Sequence, residues 1–305
     1  MIAVIDCGTN TFNLLVAKLQ DGHPVIVFHT KIPVRLGEGG IDKGILSEEA
    51  FKRGIDALTV LRKHIDEWNV ERTLAVGTAA LRDASNGKLF ITACKEKTGI
   101  SIDLIDGERE AELIWKAARY CVKLNGKFLV MDVGGGSNEF IIADHNRIYW
   151  KKSYRLGLSR LKETFRLNEN SGPVQRELIS VFLADKMHDL FEACESYDIN
   201  QLIGTAGTFD TYANIFSLRN TGHEFDTAKL NFTFDTGTLI AFCELYNQMT
   251  FDERKKVQGI PDFRREFMVY ATLLTATVFR NCNIRHSYLS TWSLKEGVFI
   301  ETLLK

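Results

Sequence analysis

The chain has 305 residues, 45% hydrophobic and 25% charged, with a formal net charge of −1. That is ordinary globular composition and length enough for two cores. Bulk charge selects no partner, so no DNA binding is expected, and any anion binding must come from locally placed Arg and Lys.

The first apolar run is interrupted by Asp6 and has no basic leader, which argues against a secretory signal. Residues 2–6 read as a strand turning at Gly8, and FNLLVAKLQDGHPVIVFHTKIPVRL alternates as antiparallel strands around Asp21-Gly22. Ser47 caps a helix over 48–67 whose stripe is Phe51, Ile55, Leu58, Leu61 and Ile65. Strand RTLAVG, a polar loop TAALRDASNG, a helix over 87–98 and strand ISIDLID follow. A helix over 108–124 turns Ala111, Ile114, Trp115 and Ala118 inward and ends at Asn125-Gly126, the expected boundary between domains 1–125 and 126–305. Strand 127–133 restarts the pattern, 139–152 alternate as a hairpin around His145-Asn146, and Ser171-Gly172-Pro173 opens one long helix to about 196. Strand QLIGTAGT, helices at 208–218, 236–250 and 262–281, strand SYLST and a terminal helix near 293–304 complete the chain; that last helix is free to pack back on the first domain. Strands alternating with helices through short connections define an α/β architecture.

No run of 18 uncharged apolar residues predicts a membrane span. Six dispersed cysteines without a CxxC pair favour small-hydrophobe roles and a reducing, cytoplasmic location over a zinc site.

IAVIDCGTN (2–10) and FLVMDVGGGSN (128–138) say nearly the same thing: a short apolar run, Asp-x-Gly, then small residues ending in Asn. Such repetition predicts duplicated halves facing each other across a cleft. In the second copy, Gly134, Gly135, Gly136 and Ser137 after Asp132 offer backbone N–H groups to phosphate, with a plain tight turn as the alternative. In the first, Gly8, Thr9 and Asn10 offer donors and Asp6 a carboxylate for Mg²⁺. Glu110, in the first turn of its helix, reads most economically as a dipole-stabilised anion; beside bound phosphates its proton affinity would rise toward that of a general base. Arg82 is suited to bidentate phosphate contact or to a salt bridge. Gly207 and Thr208 repeat the strand-to-small-loop design. Lys151, Lys152, Arg155, Arg160, Lys162 and Arg166 form a basic cluster that is either a polyanion track or a solvated face.

IDCGTNTFNLL, VRLGEG, GTAALRDASNG, IDGEREAELI, MDVGGGSNEF, SYRLGLSRL, IGTAGT, GIPDFRREF and SLKEGVF, in this order, resemble the exopolyphosphatase/guanosine pentaphosphate phosphohydrolase family in its short two-domain form. The resemblance implies two ribonuclease-H-like domains of the actin, Hsp70 and sugar-kinase superfamily around a central cleft. It implies a hydrolase dependent on Mg²⁺, with Mn²⁺ as the alternative, acting on linear polyphosphate or pppGpp, with a homodimer as an open expectation. By motif, Glu110 would deprotonate the attacking water, Asp132 and Glu139 would lie with it at the reacting phosphate, and Asp6, Asp132 and Glu139 would hold the metal. Gly135, Gly136, Ser137, Asn10 and Arg82 would hold phosphate oxygens. Four positions depart from the family pattern. Arg109 and Glu112 exchange places, which preserves an i,i+3 ion pair; Asn138 stands for Thr and Lys295 for Arg. A small-molecule kinase and a non-catalytic sensor are the alternatives; four acids retained together argue for chemistry.

Overall fold

The computed structural model describes residues 1–169 and 171–303, so residue 304 of the expected terminal helix lies outside it. The elements run β1 Ile2–Cys7, β2 Thr11–Gln20, β3 His23–Pro33, α1 Glu48–Asp66, β4 Arg72–Gly77, α2 Ala79–Asp83, α3 Gly87–Thr98, β5 Ile102–Leu104 and α4 Gly107–Cys121. There follow β6 Phe128–Val133, β7 Asn138–Ala143, β8 Ile148–Tyr154, α5 Leu158–Phe165, α6 Pro173–Lys186, α7 His188–Ser196, β9 Gln201–Thr205 and α8 Ala206–Thr221. The chain closes with β10 Asn231–Phe234, α9 Thr236–Gln248, α10 Phe251–Lys255, α11 Asp262–Asn281, β11 His286–Ser290 and α12 Leu294–Leu303.

The strands form two mixed sheets, ordered β3-β2-β1-β4-β5 and β10-β11-β9-β6-β7-β8. In each, a meander of three antiparallel strands continues into parallel partners: β1 beside β4 in the first sheet, β6 beside β9 in the second. β1 and β6, which carry the repeated segments, occupy the same place in their sheets. α1 and α3 cover one face of the first sheet, burying Leu58, Leu61, Phe90 and Cys94. The far face of the second sheet is covered by α6 to α9 and α11 around fully buried Tyr212, Leu239 and Leu274. Between the sheets, α4 and α12 share one core with Val4 and Leu15 of the first sheet and Val130 and Ile203 of the second. Gly297 makes this packing close, since a Cβ there would lie 1.9 Å from Leu113 O on α4.

Several elements differ from expectation. The polar stretch 78–87 contains the short helix α2, with Arg82 in its last turn. The single helix expected to about 196 is two, α6 and α7, joined at fully buried Met187. The apolar stripe of Ile179, Leu183 and Leu190 runs through both helices, so periodicity alone does not reveal the break between them. α5, β10 and α10 were not expected. All six cysteines are buried free thiols. Among the described residues no helix is long and apolar enough to cross a membrane.

Candidate active site

Open α/β sheets bind ligands at the carboxyl ends of their parallel strands. Here β1 ends at Asp6 and Cys7, β4 at Gly77, β6 at Asp132 and Val133, and β9 at Thr205, and these ends surround a cavity of about 540 Å³ between the two sheets. Strand register explains why the two halves differ. Across the β6–β7 ladder, Glu139 stands directly opposite Asp132; across β1–β2, the partner of Asp6 is Asn13, whose Nδ2 donates to Asp6 Oδ2 at 3.0 Å. One copy therefore presents two acids where the other presents an acid and an amide.

Glu110 enters from the first turn of α4, capped by Asp106, which accepts the Arg109 N–H at 2.7 Å. Gly107 is required by close approach: a Cβ would lie 2.3 Å from Ser153 Cβ on β8. The same Ser153 donates through Oγ to Glu139 Oε1 at 2.7 Å, so α4 and β8 together bring Glu110 and Glu139 into one group. Arg109 pairs with Glu112 at 3.2 Å and with Glu301 of α12, so the exchanged charges serve the α4–α12 junction.

Glu110, Asp132 and Glu139 are 7%, 7% and 1% exposed, so three ionised carboxylates would share a poorly hydrated space. Burial and the neighbouring Glu139 push the Glu110 carboxyl well above the usual range, with Arg82 opposing. Burial and Asp132 raise Glu139, against hydrogen bonds from Ser137 and Ser153. Burial also raises Asp132, opposed by donation from Ser293 Oγ at 2.6 Å and Thr205 Oγ1 at 2.5 Å. Asp6 is raised by burial to about 6, with Lys295 opposing. Among the described residues, no three His, Cys, Asp or Glu side chains converge as a preformed metal cage.

The glycine run works differently from the sequence argument. None of Gly134, Gly135 and Gly136 adopts a positive φ; they are small because the loop is crowded. A Cβ would lie 2.8 Å from Asn10 Nδ2 at Gly135 and 2.5 Å from Thr9 Oγ1 at Gly136, so the two Asp-x-Gly loops are in contact. The loop's orientation comes from the start of α5, where the N–H groups of Leu158 and Ser159 donate to Gly134 O and Gly135 O at 3.0 and 2.9 Å, and Arg160 Nε donates to Gly136 O at 2.9 Å. In a planar trans peptide the C=O and the next N–H point opposite ways. With three successive carbonyls tied to α5, the amides of Gly135, Gly136 and Ser137 are turned away from it, on a loop that lines the cavity. Ser159 Oγ also donates to Asn10 Oδ1 at 2.6 Å across the halves. Asn138, the substitute for Thr, accepts Gly134 N–H at 3.1 Å and donates to Leu156 O at 2.7 Å, two bonds of opposite sense that an amide makes and a hydroxyl does less well.

Gly8, Thr9, Asn10, Gly207 and Thr208 line the cavity with the glycine run, Asp6, Glu110 and Asp132. Arg82 and Glu139 stand one layer behind. Arg82 Nη1 donates to Ile105 O at 3.0 Å and Glu110 Oε2 at 3.3 Å, so it serves the acid. The basic cluster is paired side chain by side chain: Lys151 with Glu112, Lys152 with Asp189, Arg155 and Arg160 with Asp83, and Lys162 with Glu266. Arg166 donates to Glu163 O. The cations lining the cavity are Lys31, Arg35, Arg264 and Lys295; Arg35 pairs with Glu38 and Glu266, and the other three are grouped about Asp210. Gly207 has no side chain because the Arg264 guanidinium occupies the place of its Cβ. Lys31 lies on an alternating strand and carried no signal in the sequence; Arg264 stood within the GIPDFRREF motif.

These features define a two-domain α/β protein of the actin-like type with an acidic centre and a glycine loop in its cleft. Residues 15–305 match the Ppx/GppA phosphatase family, and the chain belongs to that family. An exopolyphosphatase from Cytophaga hutchinsonii has a similar structure, with TM-score 0.93 and 34% identity over 99% of this chain and 97% of its own. The Aquifex aeolicus member of the family superposes with TM-score 0.81 at 25% identity, covering 99% and 97% of the two chains. A guanosine-5′-triphosphate,3′-diphosphate pyrophosphatase of Aliivibrio fischeri is 38% identical over 144 residues, which are 47% of this chain and 29% of that protein.

Proposed function

We propose that the protein is an exopolyphosphatase, removing the terminal phosphate of linear polyphosphate by hydrolysis. The observation that carries this reading is the juxtaposition of Glu110, Asp132 and Glu139 with a loop whose three carbonyls are tied down behind it. Glu110 takes a proton from a water molecule, and the water oxygen attacks the terminal phosphorus. The bond to the bridging oxygen breaks, and the shortened chain leaves. Amides of Gly135, Gly136 and Ser137 receive the charge on the equatorial oxygens, the main contribution a protein makes to phosphoryl transfer. The raised proton affinity of Glu110 suits a base acting near neutrality. Lys31, Arg264 and Lys295 offer positive charge to phosphates farther along the chain.

The donor set fits a hard divalent cation. Asp6, Glu110, Asp132 and Glu139 are electrostatic neighbours opposed by Arg82 and Lys295, and all offer oxygen, while among the described residues no three of them already converge as a cage. Asp6, Asp132 and Glu139 would hold Mg²⁺ or Mn²⁺, which would supply charge neutralisation at the reacting phosphate. The identity to the Aliivibrio fischeri pyrophosphatase favours a second reading, removal of the 5′ phosphate of pppGpp by the same residues. Phosphate release from long-chain polyphosphate and from pppGpp, side by side with Mg²⁺, separates the two; release from neither refutes both. A cytoplasmic location fits either substrate.

A further inference from the structure

Arg160 has no part in the bond-making above, yet it is only 8% exposed and all three guanidinium nitrogens are bonded where the two halves meet. Nε donates to Gly136 O at 2.9 Å, Nη1 to Ile41 O at 3.1 Å and Nη2 to Asp83 Oδ2 at 2.5 Å. Asp83 is also approached by Arg82 Nε at 3.6 Å, and Arg82 in turn holds Glu110 at 3.3 Å. A continuous line of polar contacts therefore runs from the glycine loop through Arg160, Asp83 and Arg82 to Glu110.

We propose that Arg160, anchored by Asp83, is a positioning residue that sets the phosphate loop in register with Glu110. By fixing Gly136 O it fixes the peptide whose other end is the Ser137 N–H, and so aims that donor into the cavity. The loop cannot take this orientation from its own side chains, and at Gly136 it is pressed against Thr9 and Ala79 of the first half. A guanidinium fork spans three acceptors in fixed directions; an ammonium does not. The inference rests on the assignment of the loop and Glu110 proposed above.

The alternative is a buried arginine that only satisfies backbone carbonyls. Arg176 is the matched control: it is 5% exposed, donates to Met249 O and lies on α6 away from the cavity. Arg160→Met, Arg160→Lys, Asp83→Asn and Arg176→Met would be compared with wild type by steady-state phosphate release from polyphosphate, by inorganic orthophosphate affinity and by Tm. Displacing a donor by about 1 Å costs on the order of 100-fold, so Arg160→Met should lose about 10–100-fold in kcat/KM, with orthophosphate binding about tenfold weaker. Arg160→Lys should recover little. Arg160→Met/Asp83→Asn should be no worse than Arg160→Met alone, as expected for residues acting as a unit. Arg176→Met should lower Tm and leave kcat, KM and orthophosphate affinity unchanged. Wild-type kcat/KM and orthophosphate affinity in Arg160→Met, or losses equal to those of Arg176→Met, would overturn the inference; should Arg160→Met fail to fold, Arg160→Lys and Asp83→Asn decide it by the same readouts. A wild-type protein that releases no phosphate refutes the proposed function instead, while orthophosphate affinity still decides the role of Arg160.

Discussion

Replacing Glu110 by Gln separates catalysis from stability with one nearly isosteric change. Gln keeps an oxygen to accept the Arg82 Nη1 donation seen at 3.3 Å, so the local geometry is preserved. It removes the proton acceptor, and loss of a general base costs about 10²–10⁴ in kcat, or roughly 3–5 kcal/mol of barrier at about 1.4 kcal/mol per decade. The same substitution relieves repulsion, because Glu110 is buried against Glu139 with Asp132 and Asp6 nearby. The sign follows from linkage. A carboxyl whose proton affinity is raised on folding destabilises the native state as pH rises from its unfolded value through its folded value. Glu110→Gln should therefore melt higher than wild type at pH 8, by about 2 °C for each kcal/mol relieved, with the difference shrinking toward pH 5. Phosphate release with Mg²⁺ present, and calorimetry of the metal-free protein at both pH values, check this. Unchanged turnover would remove Glu110 from the chemistry; a lower Tm at pH 8 would refute the electrostatic account of the acidic centre.

Gly157→Ala should preserve the fold but lower kcat/KM by about 100-fold, since its Cβ would lie 2.4 Å from Gly135 O; steady-state kinetics with circular dichroism as control tests this. Arg82→Met should move the acid limb of the kcat/KM profile to higher pH, because Arg82 is what lowers the proton affinity of Glu110, and a limb that stays put would contradict that pairing. Gly297→Ala should destabilise by about 1–3 kcal/mol through overpacking of α12 on α4, measured by denaturant unfolding, with little direct effect on the acids.

The repeated apolar-run-then-aspartate segments disclosed two sheets and their common cleft, because a strand buried on both faces and ending in an acid is a local pattern. Asp6 and Asp132 were legible for the same reason, each ending a strand that alternation finds; Glu110 was not, since a first-turn Glu reads as a dipole-stabilised anion and only the family resemblance singled it out. Register was not legible, and register is what sets Glu139 opposite Asp132 while Asn13 faces Asp6. The role of α5 was hidden as well. SYRLGLSRL reads as part of a basic cluster, whereas its backbone N–H groups and Arg160 orient a loop about twenty residues earlier in the chain. Arg82 looked like a phosphate ligand because a loop arginine among small polar residues is open to either partner; only the approach of α4 assigns it to an acid. Lys31 carried no mark, since an outward-facing Lys on an alternating strand is the commonest surface pattern, and the cleft arises only when α11 arrives from the far end of the chain.

The central claim is that water attacks the terminal phosphorus in this cleft. Hydrolysis of long-chain polyphosphate in oxygen-18 water, with the products resolved by mass spectrometry, tests it most directly. Attack by water yields orthophosphate carrying one solvent oxygen and an unlabelled chain one unit shorter, with both signals about 10²–10⁴-fold slower to appear in Glu110→Gln. Label in the shortened chain, or no orthophosphate from the wild-type protein, would contradict it.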